Sequence, residues 1–170
     1  MALPKKSNLT RLLEARQIPH QAYTYAADLR SAEAVAQVLG VPAREVYKTL
    51  VVLPLSGKPL LVIIPGPCAL DLKQLARALG EKKLRMAAHK EAEELTGLQV
   101  GGISALALLD RGFRVYVDRA AQALTEFVIS AGQRGMNLRL RIDDFVRLTN
   151  AQFVQAAVDR EDVGGRLELL

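Results

Sequence analysis

With 170 residues, half of them apolar and 24% charged, the chain is long enough for one domain with a buried core, and wholesale disorder is excluded. Aromatic residues make up 5% and Trp is absent, which excludes a binding platform of many rings and leaves Ala, Leu and Val to fill the core. Lys and Arg number 23 against 18 Asp and Glu, a net charge of +5 that favours a polyanionic partner; no basic block is dense enough for a disordered nucleic-acid tail, so any RNA contact would use a folded surface or cleft.

Ser7 or Asn8 can cap a first helix whose Leu9, Leu12, Leu13 and Arg16 follow at helical spacing; Pro19 lies beyond its end. Residues 21–25 alternate like a strand, with Tyr23 and Tyr25 on one face. Ser31 caps a second helix, which Gly40 stops, and Pro42 opens a short helical turn. Residues 48–54 and 59–65 read as two apolar strands joined by a hairpin turn at Ser56-Gly57-Lys58. Pro65-Gly66-Pro67 reads as a turn leading to a helix capped by Asp71 and closed by Gly80. Residues 82–86 read as a short edge strand and 89–95 as a polar helix ended by Gly97. A loop at Gly101-Gly102-Ile103-Ser104 precedes strands at 113–117 and 126–130, with a helical turn between them. Gly132-Gln133-Arg134-Gly135 turns into an alternating strand over 136–142, and Asp143 caps a last helix around Phe145. Interleaved hairpins and crossover helices predict a single α/β domain with a mixed sheet over 1–160, followed by a polar tail at 161–170.

The apolar runs fall short of the about 20 residues a bilayer crossing needs, and no secretory signal follows Met1, so no membrane association is expected. The single cysteine, Cys68, excludes an internal disulfide and fits a cytoplasmic protein. Neither a phosphate-binding G-x-x-x-x-G-K-[ST] nor a dinucleotide-binding G-x-G-x-x-G loop is present, and H-E-x-x-H is absent. Two histidines, His20 and His89, and one cysteine do not make a usual zinc site. Ser104 lacks the closing glycine of a nucleophile elbow. Neither a cofactor nor a metal is expected, and conventional nucleophilic catalysis is disfavoured.

Lys48 shares a strand face with Leu50 and Val52, so it either snorkels from the strand end or places a cation in a pocket, where it could hold a phosphate or polarise an ester carbonyl. The turns at Gly101-Gly102 and Gly132–Gly135 are either plain turns or places where backbone N–H groups meet a ligand oxygen. Ser130 could donate to a ligand or satisfy its own turn. Tyr23 and Tyr25 could pack beneath the sheet or offer a ring to a base.

Taken together, Tyr23-Thr24-Tyr25, Leu39-Gly40, Val46-Tyr47-Lys48-Thr49-Leu50, Leu70-Asp71-Leu72-Lys73, Thr96-Gly97, Val100-Gly101-Gly102-Ile103-Ser104 and Ser130-Ala131-Gly132-Gln133-Arg134-Gly135 form a specific ordered pattern. The pattern resembles the YbaK-type aminoacyl-tRNA deacylases, relatives of the editing domain of bacterial prolyl-tRNA synthetase, from about Leu9 to Val158. The resemblance implies a mixed, partly barrel-like sheet flanked by helices and a trans-acting hydrolase of mischarged tRNA, typically Cys-tRNA(Pro), with prolyl-tRNA synthetase as a possible partner. It implies Lys48 as the functional lysine, and Tyr25, Thr49, Gly101, Gly102, Ser104, Ser130, Gly132, Gly135 and Asn137 as substrate-binding positions. It implies no metal and no cofactor. In the cysteine-clearing members the substrate's own thiol attacks its ester carbon, so the protein need only orient and polarise. The chain departs from the pattern at Ala105 and Ala107, where Pro and then Gly are usual, and at Asn137, where Asp is frequent. These departures keep a second expectation open: a catalytically weak binder of aminoacyl-tRNA or a small ligand, or an accessory partner of a synthetase.

Overall fold

The computed structural model describes residues 7–29 and 31–160; the predicted tail at 161–170 lies outside the described residues. Most helices begin where a short polar side chain takes up an orphan amide. Ser7 Oγ accepts from Thr10 N at 3.2 Å to open α1 (Asn8–Ala15), Ser31 Oγ from Ala34 N at 3.1 Å to open α2 (Ala32–Leu39), and Asp71 Oδ1 from Gln74 N at 3.0 Å to open α3 (Leu72–Leu79). α2, α3 and α4 (His89–Thr96) each stop at a glycine in the left-handed region, Gly40, Gly80 and Gly97. The predicted cap of α5 (Ile142–Thr149) is corrected: Asp143 lies in the first turn. This helix springs straight from a strand at Arg141, and Ile142 N finds Thr125 O at 3.0 Å, so no side-chain cap is needed there. None of the described helices is long and apolar enough to cross a membrane.

The strands are β1 (His20–Thr24), β2 (Tyr47–Pro54), β3 (Leu60–Pro65), β4 (Cys68–Leu70), β5 (Leu84–Met86), β6 (Arg114–Asp118), β7 (Glu126–Ser130), β8 (Met136–Arg141), β9 (Gln152–Val154) and β10 (Ala157–Asp159). They form a mixed five-stranded sheet ordered β5-β2-β3-β6-β9, an antiparallel sheet β1-β8-β7 and a two-stranded β10-β4 pair. A parallel bridge between Val46 and Val128 joins the two larger sheets. β5, β9 and β1 remain edges, so the expected partly barrel-like sheet is an open mixed α/β arrangement, not a closed barrel. Three short strands were not anticipated. Cys68–Leu70, read only as the lead from the Pro65-Gly66-Pro67 turn to the next helix, pairs with Ala157–Asp159, and Gln152–Val154 extends the five-stranded sheet beside β6.

Alternation along β2 and β3 divides the core in two. Tyr47, Val51, Leu61 and Ile63 face Phe127, Ile129, Leu138 and Leu140 of the second sheet, with Phe145 and Leu13 packed among them. Leu50, Val52, Leu60, Val62 and Ile64 face the other way, under Leu75 and Ala76 of α3. β3 is buried along its whole length, which is why it reads as an unbroken apolar run.

Candidate active site

A cavity of about 610 Å³ opens where β2 leaves the bridge with β7. Its walls are the first residues of β2, Ser130 at the end of β7, Asn137 on β8, Tyr25 just past β1, the first turn of α2, and α4 with the loop that follows it. Six of the predicted site residues line it together: Tyr25, Lys48, Thr49, Gly101, Ser130 and Asn137. Hairpin register accounts for part of this convergence, because Ser130 stands opposite Asn137 and Tyr23 stands on the other side of Asn137. Tyr25 N continues the ladder past the strand end by donating to Gly135 O at 2.9 Å.

Gly102, Ser104, Gly132 and Gly135 do not line this cavity. Gly102 lies so close to the second glycine turn that a Cβ would come within 2.7 Å of Gln133 C and 2.8 Å of Arg134 N. The two turns, far apart in sequence, are therefore packed backbone to backbone. Arg134 reinforces the contact by donating from Nε to Val100 O at 2.8 Å. Gly135, at φ +80°, sits against the backbone of Tyr25. Gly132 borders a separate, smaller cavity of about 360 Å³ near the start of α1. Ser104 is 1% exposed and its Oγ has no hydrogen-bond partner among the described residues.

The chemistry of the cavity is set by one cation and several neutral polar groups. Lys48, on the face of Leu50 and Val52, makes no salt bridge among the described residues. Burial pushes its pKa down to about 8, with Arg160 contributing in the same direction. Tyr25 donates its hydroxyl to Asn137 Oδ1 at 2.8 Å, and burial pushes its pKa up, so it stays protonated. Ser130 Oγ accepts from Gly132 N at 3.3 Å, which satisfies its own turn and leaves its proton for another acceptor. Among the described residues no Ser, Thr or Cys hydrogen-bonds to a histidine, and no group of three His, Cys, Asp or Glu gathers to hold a metal. Cys68 does not line the cavity, and burial raises its thiol pKa.

Sequence reasoning missed Glu33, His89, Glu93 and Arg160, which also line the cavity. Glu33 and Arg160 form an ion pair at 3.5 Å across 127 positions. Glu33 reads in sequence as an ordinary first-turn carboxylate of α2, and nothing near Arg160 signals proximity to Lys48. Gly66 was a readable but unused signal. A Cβ there would fall 2.1 Å from Ala32 Cβ, so only glycine lets α2 close against the turn after β3.

This arrangement has known counterparts. The model of the aminoacyl-tRNA editing domain matches residues 26–148. EbsC of Enterococcus faecalis, named as a candidate Cys-tRNA(Pro)/Cys-tRNA(Cys) deacylase, is 37% identical over 153 residues, which span 89% of this chain and 93% of that protein. Proline–tRNA ligase of Geobacter metallireducens is 29% identical over 65% of this chain, a match that takes up 19% of the ligase. The crystal structure of a candidate trans-editing enzyme for prolyl-tRNA synthetase superposes with a TM-score of 0.75 at 25% identity, covering 91% of this chain and 99% of the other. The structure of a hypothetical protein, APE2540, gives a TM-score of 0.81 at 26% identity over 89% of this chain and all of the other. On the extent of these matches, the chain belongs to the aminoacyl-tRNA editing domain family.

Proposed function

We propose that the protein hydrolyses mischarged aminoacyl-tRNA in trans, with Cys-tRNA(Pro) as the preferred substrate. The observation that carries this reading is the convergence of Lys48, Tyr25, Thr49, Gly101, Ser130 and Asn137 on one cavity. That cavity supplies a cation and hydrogen-bond donors, and among the described residues no Ser, Thr or Cys in it is hydrogen-bonded to a histidine that could activate it. An aminoacyl ester is already activated, so orientation and polarisation suffice. The Lys48 ammonium polarises the ester carbonyl. The thiol sulfur of the substrate then bonds to the carbonyl carbon and the bond from that carbon to the ribose oxygen breaks. The ribose oxygen takes up the thiol proton, and water opens the resulting thiolactone to free cysteine. The match to part of proline–tRNA ligase and the likeness to a candidate trans-editing enzyme for prolyl-tRNA synthetase support action alongside prolyl-tRNA synthetase, and hence in the cytoplasm.

The test is a deacylation panel of tRNA(Pro) charged with Cys, Ala, Ser or Pro, each with and without the protein. Hydrolysis fastest on the cysteinyl ester is expected, with the seryl ester much slower, because a hydroxyl is far less ionised than a thiol near neutral pH. Equal rates on both would replace thiol attack by attack from water or the ribose hydroxyl. Binding without acceleration of any ester would leave a binding protein in place of an enzyme.

A further inference from the structure

One face of β1 and β8 runs outward from the cavity, and beyond Asn137 the deacylation chemistry does not use it. Tyr23 stands opposite Asn137 and Gln21 opposite Arg139. Opposite residues of an antiparallel pair share a face, and the period of two keeps all four side chains together. The alternate residues, Ala22 and Leu138, pack into the core. Asn137 lines the cavity, so the stripe starts at the cavity wall and reaches Arg139 one row, about 7 Å, further out. Over β7 the same face is closed, since Val128 opposite Arg139 is buried against Val46 and Ala36. Over β1 it is open: Gln21 is exposed, and Tyr23 and Arg139 are half-buried.

Two hydrogen bonds fix the groups on this stripe. The Tyr23 hydroxyl donates to Gln21 Oε1 at 2.9 Å and accepts from Arg139 Nε at 3.1 Å. They draw the phenol along the strand and occupy one of the five guanidinium donors. No carboxylate pairs with Arg139 among the described residues, whereas Arg85 is held by both oxygens of Glu91 at 2.8 and 2.9 Å. A half-exposed ring beside an unpaired guanidinium, on an open sheet face, is complementary to a base and a phosphate of a single strand. Continuity with the cavity then orients the strand. Its terminal ester would enter beside Lys48 and the preceding nucleotides would leave over β1.

We propose that this open face of β1 and β8 seats the single-stranded 3′ end of the RNA, with Tyr23 stacked on a base and Arg139 on a phosphate. The proposal rests on the deacylase reading for the identity of the RNA. Its test does not require turnover. Anisotropy of a 5′-fluorescein single-stranded RNA ending in CCA is titrated with the full chain at several salt concentrations. Arg139→Gln is expected to weaken binding about 10-fold and to lower the slope of log K against log salt by about 0.7. Tyr23→Ala is expected to cost about 10-fold and Tyr23→Phe, which keeps the ring, less than about threefold. Arg85→Gln should bind as the parent does. On Cys-tRNA(Pro), Arg139→Gln should raise KM with kcat retained, while hydrolysis of the cysteinyl ester of adenosine stays unchanged. Absence of RNA binding by the parent protein, or parental binding by both Arg139→Gln and Tyr23→Ala, would overturn the surface. Tyr23→Phe binding as weakly as Tyr23→Ala would overturn the stacking. Failure of deacylation with these binding differences intact would overturn only the enzyme reading.

Discussion

An ammonium in a cleft gives up hydration that polar neighbours must replace, and Glu33, whose charge favours the protonated form of Lys48, is engaged with Arg160. The folded chain therefore holds Lys48 at a pKa of about 8, below its ordinary 10.5, and the charged form is a stored cost. Loss of the cation in Lys48→Ala should lower the deacylation rate on the order of 100-fold, as removal of one oxyanion donor does. Rate enhancement over spontaneous hydrolysis should fall as pH rises through about 8, where Lys48 loses its proton. Lys48→Arg should carry whatever activity it retains to higher pH, which a pH–rate profile on a non-thiol ester would show. The stability sign runs the other way. Between about 8 and 10.5 the unfolded chain holds the Lys48 proton and the folded chain does not, so this group favours folding increasingly as pH rises. Lys48→Met should thus melt no lower than the parent at pH 7, with any advantage gone by pH 10.5. Cys68 presents the contrary case. Its thiol sits off the cavity with a raised pKa and Sγ 3.8 Å from Asp159 Oδ1, so Cys68→Ser should keep its activity on Cys-tRNA(Pro). Strand alternation placed Lys48 beside Leu50 and Val52 but left it open between a strand-end cation and a pocket; the family resemblance is what singled it out. Glu33 and Arg160 were not legible in sequence, because their meeting across 127 positions depends on how α2 and the end of β10 pack.

The elements that position the site announce themselves to different degrees. Ser7, Ser31 and Asp71 at helix starts and Gly40, Gly80 and Gly97 at helix ends are local signals, and the structure uses each of them for that purpose. The hairpins β2–β3 and β7–β8 were legible for the same reason, since alternation and glycine turns lie within the segment itself. β4, β9 and β10 have three residues each, too few for any period, and exist because a partner far along the chain supplies the ladder. Contact between the two glycine turns is likewise invisible locally. It yields a prediction at Gly102, whose φ is ordinary but whose Cβ direction is filled by the backbone of Gln133 and Arg134. Gly102→Ala must part the turns, at about 1–3 kcal/mol by analogy with overpacked cores. The displacement should move Gly101 and Arg134 together. Urea denaturation should show the loss of stability, and kcat on Cys-tRNA(Pro) should fall with it. Parental stability in Gly102→Ala would mean that the turns have room to separate.

At the scale of the molecule, two sheets and a detached strand pair have to be held in one frame around the cavity. Asp118, 3% exposed at the end of β6, does much of this through its carboxylate. Oδ1 accepts from Ala156 N at 3.0 Å and Ala157 N at 2.8 Å, and Oδ2 accepts from Ala120 N at 2.9 Å. These bonds clamp the chain between β9 and β10 onto the five-stranded sheet. β10 in turn carries the pairing to β4, and Asp71 N adds a bond to Ala156 O at 2.8 Å. The last described residue of this segment, Arg160, reaches Glu33 at the cavity. One buried side chain thus links β6, the β10–β4 pair and the wall beside Lys48. Asp118→Ala strands three backbone donors, of which Ala156 N is buried, and each unmet donor costs about 1–3 kcal/mol. We expect a loss of about 3 kcal/mol or more in urea denaturation, reduced in Asp118→Asn, whose one remaining carbonyl oxygen can still accept from Ala156 and Ala157. If the clamp also sets the cavity wall, folded Asp118→Asn should show a shifted pH–rate midpoint, because Arg160 is among the groups that hold the Lys48 pKa down. An unshifted midpoint with reduced stability would confine Asp118 to the frame and leave the wall to α2 alone.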